Sequence, residues 1–291
     1  TYPNNTIDFG GGTSAAAPGI SGVLAQLIQA YKNLNNNEIP SSALMKATLL
    51  NTATDLGTKG PDFVYGWGQV NARRAYELIK DKRFQKISIS QNDEKEISLE
   101  VPENSSSLRV MIYWADKESS LLSTQALVND VDMKITKPDG GVSLPYTLDH
   151  SQNSTLLASP ATNGIDHLNN MEQVEINNPN PGKYTIQLSG YQIPFQNIDV
   201  WLVYEITNAE PFLVYPNGGE SFNQSEPIKI QWDAEEASGD FTMDYTTDNG
   251  KSWNFIKTVS GNLRKTIWDA PAIPTDSIFL RIKKKKKSHV T

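Results

Sequence analysis

The stretch FGGGTSAAAPGISG, from Phe9 to Gly22, leads from a run of glycines through one serine into an apolar helix. Gly10, Gly11 and Gly12 allow backbone conformations that other residues rarely adopt, and they let another chain approach closely. Ser14 then stands at or just before the helix N-terminus, where free N–H groups and the positive end of the helix dipole favour a developing oxyanion. The stretch predicts a nucleophilic serine, and since serine is a favoured helix cap, we expect Ser14 to have that role as well.

Three helices are predicted in the first 80 residues. From Pro18 to about Asn33 the apolar residues recur at helical spacing, with Pro18 expected in the first turn, where a helix tolerates proline best. Ser41 and Asn71 are the predicted N-caps of the second and third helices.

Two stretches of this region resemble one family. The pattern GTSAAAP, Gly12–Pro18, resembles the active-serine motif of the subtilisin-like serine proteases, the subtilase family; Met is common there at the position of Ala15. The stretch from Lys46 to Leu78, KATLLNTATDLGTKGPDFVYGWGQVNARRAYEL, resembles the segment that closes the subtilase catalytic domain. The resemblance covers about Asp8 to Ile79.

The resemblance implies a serine-type endopeptidase with an α/β catalytic domain that acts on polypeptide substrates. Ser14 is then the nucleophile, with the backbone N–H of Ser14 and the hydroxyl of Thr13 supporting the oxyanion. The triad order in this family is Asp, His, Ser. We therefore expect the catalytic Asp and His, and the oxyanion-hole Asn, upstream of Thr1, so that the upstream part of the catalytic domain is a partner of this chain.

The histidines of the chain lie outside the protease segment: His150 and His167 fall in the β-rich region and His289 in the lysine-rich tail. A base is thus missing near Ser14, and we expect a structural or surface role for all three histidines. We expect the chain alone not to hydrolyse peptides. The helices also lack most of the parallel sheet that they would cover. We therefore expect their apolar faces to be exposed and prone to association, and this region of the chain to be unstable.

After Lys86 the period of the apolar residues changes to two. Strands are predicted at KISIS, EISLEV, LRVMIYW, VDMKIT, KYTIQLS and VWLVYEI, which indicates an all-β sandwich or barrel. From about Pro211 a second, smaller strand-rich unit follows, with IKIQW, FTMDYT, IFLRI and the hairpin signal DNGKSW. We predict three domains: residues 1–83 as the C-terminal part of a subtilase catalytic domain, 84–208 and 209–291.

The two β regions also resemble known modules. Residues 84–207 resemble the jelly-roll or β-barrel domain that follows some alkaline subtilase domains and, more distantly, the P-domain of proprotein convertases, through LVNDVDMKITKPDG and PGKYTIQLSGY. Residues 211–283 resemble immunoglobulin-like or fibronectin-type-III-like modules, through YPNGGESF and YTTDNGKSWNFI. Trp232, Trp253 and Trp268 are expected to pack in a core. The final lysine block predicts a solvated tail on a truncated module.

A cluster of oxygen-bearing side chains indicates a cation site. Asp130 and Asp132 alternate on a strand, so both carboxylates point to one face, and Asp166, Asn170 and Glu172 supply further oxygens across the sheet. Such ligands suit Ca²⁺, which would be structural. The alternative is that these acids face water.

Composition limits the remaining functions. The net charge of −7 argues against a nucleic-acid partner, the absence of cysteine excludes disulfides and thiolate metal sites, and no apolar run is long enough for a membrane span. The family resemblance implies an extracellular, bacterial location. The alternative to a protease is a non-catalytic secreted binding or adhesion protein built on the two β modules.

Overall fold

The structure is a computed structural model that describes residues 11–208, 210–223, 226–234, 239–270 and 278–285. Gly10 and His289, which figure in the sequence analysis, lie outside these residues. The described chain is mostly β-sheet, with few helices and several separate sheets. It forms two compact units: one runs to Glu103 and continues over Ser107–Ile206, and the other contains Asn104–Ser106 and the described residues from Thr207 onward. The predicted division into three domains stays a prediction.

The helices of the described chain are α1 (Thr13–Leu34), α2 (Ser42–Asn51), α3 (Ala72–Lys80) and the short α4 (Ser154–Leu157). Both predicted caps are confirmed. Ser41 Oγ accepts a hydrogen bond from the amide of Ala43 at 3.3 Å, and Asn71 Oδ1 accepts one from the amide of Arg74 at 3.1 Å. In the described part of the chain, no helix has both the length and the apolar character that crossing a membrane requires.

Helix α1 begins five residues earlier than predicted. Gly12 is its N-cap, with φ 101° and no side-chain cap, so Ser14 is the second residue of the helix and the prediction that Ser14 caps it is wrong. The three alanines that follow have the highest helix propensity and extend the helix toward the glycines. Pro18 consequently lies inside the helix rather than in its first turn, and since proline has no N–H, it donates no hydrogen bond to the carbonyl of Ser14.

Strands β1–β10 form two four-stranded antiparallel sheets and one small pair. Their bounds are β1 (Phe84–Ile89), β2 (Glu94–Val101), β3 (Ser105–Trp114), β4 (Asp130–Thr136), β5 (Val142–Ser143), β6 (Tyr146–Thr147), β7 (Thr162–Asn163), β8 (Met171–Asn177), β9 (Gly182–Gln192) and β10 (Ile198–Asn208). The sheet orders are β1-β10-β3-β8 and β2-β9-β4-β5, with β6 paired to β7. All six predicted strands of this region are present.

One face of each four-stranded sheet packs into a shared apolar core. Its largest fully buried side chains include Trp114 of β3 and Tyr184 of β9. The indole N–H of Trp114 donates to the carbonyl of Asn129 at 2.9 Å, so the ring is buried without leaving its donor unpaired. The two sheets therefore form a β-sandwich.

The opposite face of the β1-β10-β3-β8 sheet is buried as well, beneath the helices. Met111 of β3 and Val203 of β10, both fully buried, share a core with Leu27, Leu78 and Ile79 of the helices. A strand covered on both faces needs no polar alternation, which explains the continuous apolar run of β3. The expectation of exposed apolar helix faces is therefore wrong for α2, α3 and the C-terminal half of α1.

Polar contacts at the edge of this second core join the helical segment to the sheet. Arg109 of β3 is 6% exposed; its Nη1 donates to the carbonyl of Ala53 at 3.0 Å, and its Nε donates to Glu175 at 3.1 Å. Asn51, the last residue of α2, donates to the carbonyl of Arg109 at 3.4 Å and accepts a hydrogen bond from Gln173 at 3.0 Å. Helices and sheet thus share buried hydrogen bonds as well as apolar contacts.

The second compact unit consists of two three-stranded antiparallel sheets, with the orders β11-β12-β15 and β14-β13-β16. Their bounds are β11 (Phe212–Tyr215), β12 (Pro227–Asp233), β13 (Asp240–Thr246), β14 (Asn254–Ser260), β15 (Lys265–Asp269) and β16 (Phe279–Lys284). Trp232 and Trp268 are buried in the core between the sheets, as predicted.

Two details of this unit differ from prediction. Trp253 is not part of the core; it lies before β14, and the guanidinium carbon of Arg281 stands 3.7 Å from its ring centroid. The lysine block does not begin as a tail, because Lys283 and Lys284 belong to β16 and Lys285 forms an ion pair with Asp240 at 3.7 Å.

Substitution of Leu78 by alanine tests the shared core of helices and sheet. Leu78 is 1% exposed, so we expect Leu78→Ala to lower the free energy of unfolding by about 2–5 kcal/mol. Tyr76→Ala, on the solvent side of the same helix at 41% exposure, is the matched control and should cost clearly less. Urea denaturation measures both, and equal losses would contradict the packing.

Candidate functional site

Ser14 lies on the exposed first turn of α1. The amides of Ala15 and Ala16 donate to the carbonyl of Gly12 at 3.0 and 3.2 Å, which closes this turn. The amides of Thr13 and Ser14 lie before Ala15, the first donor of this turn, at the helix N-terminus, where N–H groups have no acceptor within the helix. Thr13, Ser14 and the residues up to Gly19 are exposed, and the Ser14 hydroxyl is open to an incoming chain.

The second serine of the motif has a different environment. Ser21 Oγ donates to the carbonyl of Ala17 at 3.1 Å, one turn earlier in the same helix. The hydroxyl of Ser21 therefore donates its hydrogen bond within the helix. Ser21 therefore provides a matched control for Ser14.

No described histidine forms a hydrogen bond with Ser14. His150 is exposed beside Asp149, and His167 contacts two carboxylates of the β-sandwich. The described residues thus supply a helix N-terminus and a hydroxyl but no base in hydrogen-bond reach of that hydroxyl.

A second group of functional side chains lies in the β-sandwich, where Asp130 and Asp132 stand on β4. Asp130 is 4% exposed, and its Oδ2 lies 2.7 Å from Nδ1 of His167. Asp132 Oδ1 lies 3.6 Å from the same nitrogen. One ligand atom from each of these three side chains falls within 4.8 Å of the others, a spacing that suits a metal ion.

The other predicted oxygens have additional contacts. Asp166 accepts hydrogen bonds from the amides of Leu168 and Asn169 at 2.8 and 3.2 Å, and so orders its own loop. Asn170 donates through Nδ2 to the carbonyl of Trp114 at 2.7 Å. Glu172 of β8, 2% exposed, accepts through Oε2 from the amide of Met133 at 2.6 Å.

Three buried oxygens of this cluster lack a hydrogen-bond partner: Asp130 Oδ1, Asp132 Oδ1 and Glu172 Oε1. A buried carboxylate oxygen without a donor costs free energy, because the lost hydration is not replaced. The cluster therefore has unsatisfied capacity to accept a cation.

The pKa values of the carboxyl groups in the cluster reflect their burial and the lack of hydrogen-bond donors. Burial, the largest cause, raises the pKa of Asp130 to about 6; the neighbouring His167 opposes the rise, and Asp132 and Asp166 add to it. Burial also raises the pKa of Asp132, and it raises the pKa of Glu172 well above its ordinary value. Carboxyl groups that are hard to ionise in isolation are stabilised as carboxylates by a bound cation.

The sequence analysis did not place His167 at this cluster. His167 directly follows Asp166, and this position beside a predicted ligand is the one feature of the sequence that indicates a place for His167 at the cluster. Its ring orientation depends on a contact with Tyr191, 24 residues away, which no local pattern reveals.

Comparison with known proteins identifies the first of these regions. The model of the subtilase family, peptidase S8, matches residues 1–68. This match confirms the resemblance of the N-terminal segment to the subtilisin-like serine proteases.

Individual relatives of this chain are consistent with the match to the subtilase family. Serotype-specific antigen 1 of Mannheimia haemolytica and an extracellular serine protease of Serratia marcescens are each 47% identical over 64 residues, which cover 22% of this chain and 6% of each relative. A serine protease/ABC transporter B family protein of Dictyostelium discoideum is 27% identical over 172 residues, covering 54% of this chain and 9% of that protein. The chain thus matches only a small part of the length of these relatives.

The raised pKa of Asp130 predicts how stability changes with pH when chelator removes divalent ions. Its native pKa of about 6 lies above the ordinary 3.8, so the folded state holds the proton more tightly than the unfolded state. The resulting stability is complete below pH 4 and is lost as the pH rises through 6, by up to about 3 kcal/mol. Urea denaturation in chelator at a series of pH values measures the decline. Asp130→Asn should reduce the decline, leaving the part that comes from Asp132 and Glu172, whereas Asp199→Asn, at an exposed ion pair with Lys86, should leave it unchanged.

Proposed function

We propose that this chain is the C-terminal portion of a serine-type endopeptidase of the subtilisin-like type, with Ser14 as its nucleophile. The observation that carries the proposal is the placement of Ser14 as the exposed second residue of α1, two residues after Gly12 with its positive φ, inside the segment that matches the subtilase family. The α/β architecture of the complete catalytic domain is part of the same proposal.

The chemistry follows from the groups at this helix end. Ser14 Oγ attacks the carbonyl carbon of the scissile bond as a histidine removes its proton. The negative charge that develops on the carbonyl oxygen is stabilised by the Ser14 amide, with support from the Thr13 hydroxyl. The intermediate collapses to an acyl-enzyme and expels the amine, which takes the proton from the histidine; water then releases the acyl group.

The base, its orienting Asp and the oxyanion-hole Asn come, in this proposal, from a part of the catalytic domain outside this chain. Ser14 alone has the weak nucleophilicity of an alcohol, so the chain by itself is inactive. Polypeptides are the proposed substrates, and the names of two relatives, an extracellular serine protease and a serine protease/ABC transporter B family protein, support the reaction. An extracellular location in bacteria is proposed on the name and source of the Serratia marcescens relative.

The β regions are proposed as accessory modules. The two-sheet sandwich of β1–β10 supports a jelly-roll or P-domain-like domain over residues 84–208, and the pair of three-stranded sheets supports an immunoglobulin-like or fibronectin-type-III-like module over residues 209–291. Nucleic acid is not proposed as a partner, because the chain is acidic.

We further propose that the carboxylate cluster of the sandwich is a structural Ca²⁺ site. The test of fit is the set of buried oxygens without hydrogen-bond donors, contributed by Asp130, Asp132 and Glu172, since Ca²⁺ takes carboxylate oxygens. Of the predicted ligands, Asp166 adds negative charge to the cluster, and Asn170 orders the adjoining chain. A cation that binds only the folded state stabilises it.

An activity-based probe tests the nucleophile. A fluorophosphonate labels only an activated serine, so we expect no labelling of the 291-residue chain and clear labelling when the upstream coding segment is restored. In the extended protein Ser14→Ala should abolish labelling, whereas Ser21→Ala should retain it. Labelling that survives Ser14→Ala would refute the assignment, and failure of the extended protein to label would favour the non-catalytic binding protein.

Thermal denaturation tests the Ca²⁺ site. Relative to chelator, a Ca²⁺ concentration of about 100 times Kd should raise the midpoint by several degrees, since it adds about 2.7 kcal/mol to the folded state. Asp132→Asn should remove most of this rise, and Asp199→Asn should leave it intact. An unchanged midpoint in the unsubstituted chain eliminates the site.

A further inference from the structure

The side chain of His167 occupies a defined place at the carboxylate cluster. Its Nδ1 lies 2.7 Å from Asp130 Oδ2 and 3.6 Å from Asp132 Oδ1, and the three side chains each offer one ligand atom within 4.8 Å of the others. The two carboxylates come from β4 and the imidazole from the loop before β8. Three ligands from two separate elements thus converge on one small volume.

The imidazole is held in this orientation by its surroundings. Its ring stacks on that of Tyr191, with the centroids 4.1 Å apart and the planes 17° from parallel. The backbone carbonyl of His167 accepts a hydrogen bond from Gln125 Nε2 at 2.8 Å. Contacts that fix the ring of a metal-ligating histidine in this way strengthen metal binding. The His167 side chain is 38% exposed, which leaves a path from solvent to the cluster.

A second feature also points to a cation. Asp130 is 4% exposed, and its Oδ1 has no hydrogen-bond partner, although the other oxygen contacts His167. Glu172, 2% exposed, likewise has one oxygen without a donor. Among the described residues, the protein supplies no N–H or O–H to these atoms. A bound dication satisfies such oxygens and compensates for their burial.

The distances are of the size that a small transition-metal ion needs. Bonds of about 2.0–2.2 Å to nitrogen and oxygen, arranged tetrahedrally, separate the ligand atoms by about 3.3 Å. The observed separations from His167 Nδ1, 2.7 and 3.6 Å, fall on either side of that value. Ca²⁺ takes oxygen ligands, whereas imidazole nitrogen suits Zn²⁺ and its first-row neighbours.

We infer that His167, Asp130 and Asp132 form a mixed nitrogen and oxygen site for a first-row transition-metal dication of the Zn²⁺ class, with His167 Nδ1 as a direct ligand. The inference rests on the proposal above that this cluster binds a cation, and it assigns to the cluster a preference for a transition-metal ion over the Ca²⁺ proposed there. His167 is the specificity-determining ligand, because an all-oxygen cluster lacks this preference.

The chain offers a clean test because it has three histidines. Substitution of His150 and His289 by phenylalanine gives a chain in which His167 is the single histidine. The matched variant adds His167→Phe, which keeps an aromatic ring against Tyr191 and removes the nitrogen. Co²⁺ titration followed by absorption measures affinity in both chains, and Cu²⁺ electron paramagnetic resonance of the single-histidine chain detects a nitrogen ligand directly, without relying on the stability of the variant.

We expect the single-histidine chain to bind Co²⁺ at least about tenfold more tightly than the His167→Phe chain, and its Cu²⁺ spectrum to show splitting from one nitrogen. Equal Co²⁺ affinities, or a Cu²⁺ spectrum without nitrogen splitting, overturn the inference. The Ca²⁺-dependent midpoint separates the two proposals. If Ca²⁺ raises the midpoint, Asp132→Asn removes that increase and His167→Phe leaves Co²⁺ affinity unchanged, the Ca²⁺ site stands and the transition-metal site is refuted. If Co²⁺ binds through His167 and Ca²⁺ does not raise the midpoint, the transition-metal site stands and the Ca²⁺ site is refuted. If neither ion binds, both proposals are refuted.

Discussion

The first compact unit depends on a β-sheet that is buried on both faces. One face of β1-β10-β3-β8 forms the sandwich core, and the other carries Met111 and Val203 beneath α2, α3 and the C-terminal half of α1. Arg109 completes the contact, since its guanidinium bonds to the carbonyl of Ala53 while pairing with Glu175. A buried arginine is stable only with such partners, so the segment that follows α2 and the sheet are tied to one arrangement. The helix that carries Ser14 is thereby anchored at its C-terminal end, while its first turns stay exposed.

In this arrangement the part of the protease segment that packs on the sheet is separate from the part around Ser14. The residues that pack are distant from Ser14, and the residues around Ser14 make only local helix contacts. An active serine needs groups from several parts of a catalytic domain, and the described chain supplies the helix N-terminus and the hydroxyl. The β-sandwich therefore supports the helix layer through the packed residues, and within the described residues it does not contact the first turn of α1, where the proposed nucleophile Ser14 lies. The carboxylate cluster is a separate part of this scaffold, where Asp130 and Glu172 are buried at a cost in hydration that the proposed cation would offset.

Much of this organisation is readable from the sequence because it depends on local rules. The caps at Ser41 and Asn71, the strands from Lys86 onward and the burial of Trp232 follow from propensity, period and composition. The early start of α1 is a failure of the same rules, because the alanine run and Gly12 outweighed the usual position of proline. The approach of helices to sheet, and of His167 to Asp130, depends on contacts between distant residues, about which periodicity carries no information.

The most direct test of this account is native-state hydrogen exchange of the 291-residue chain, read at the amides of α3 and β3. If the helices and the sheet share one core, the amides of Leu78 and Ile79 exchange only with global unfolding, at the same free energy as those of Val110 and Ile112. If the α3 amides instead exchange with a free energy several kcal/mol lower than the β3 amides, the helices open independently of the sheet, and the account is wrong.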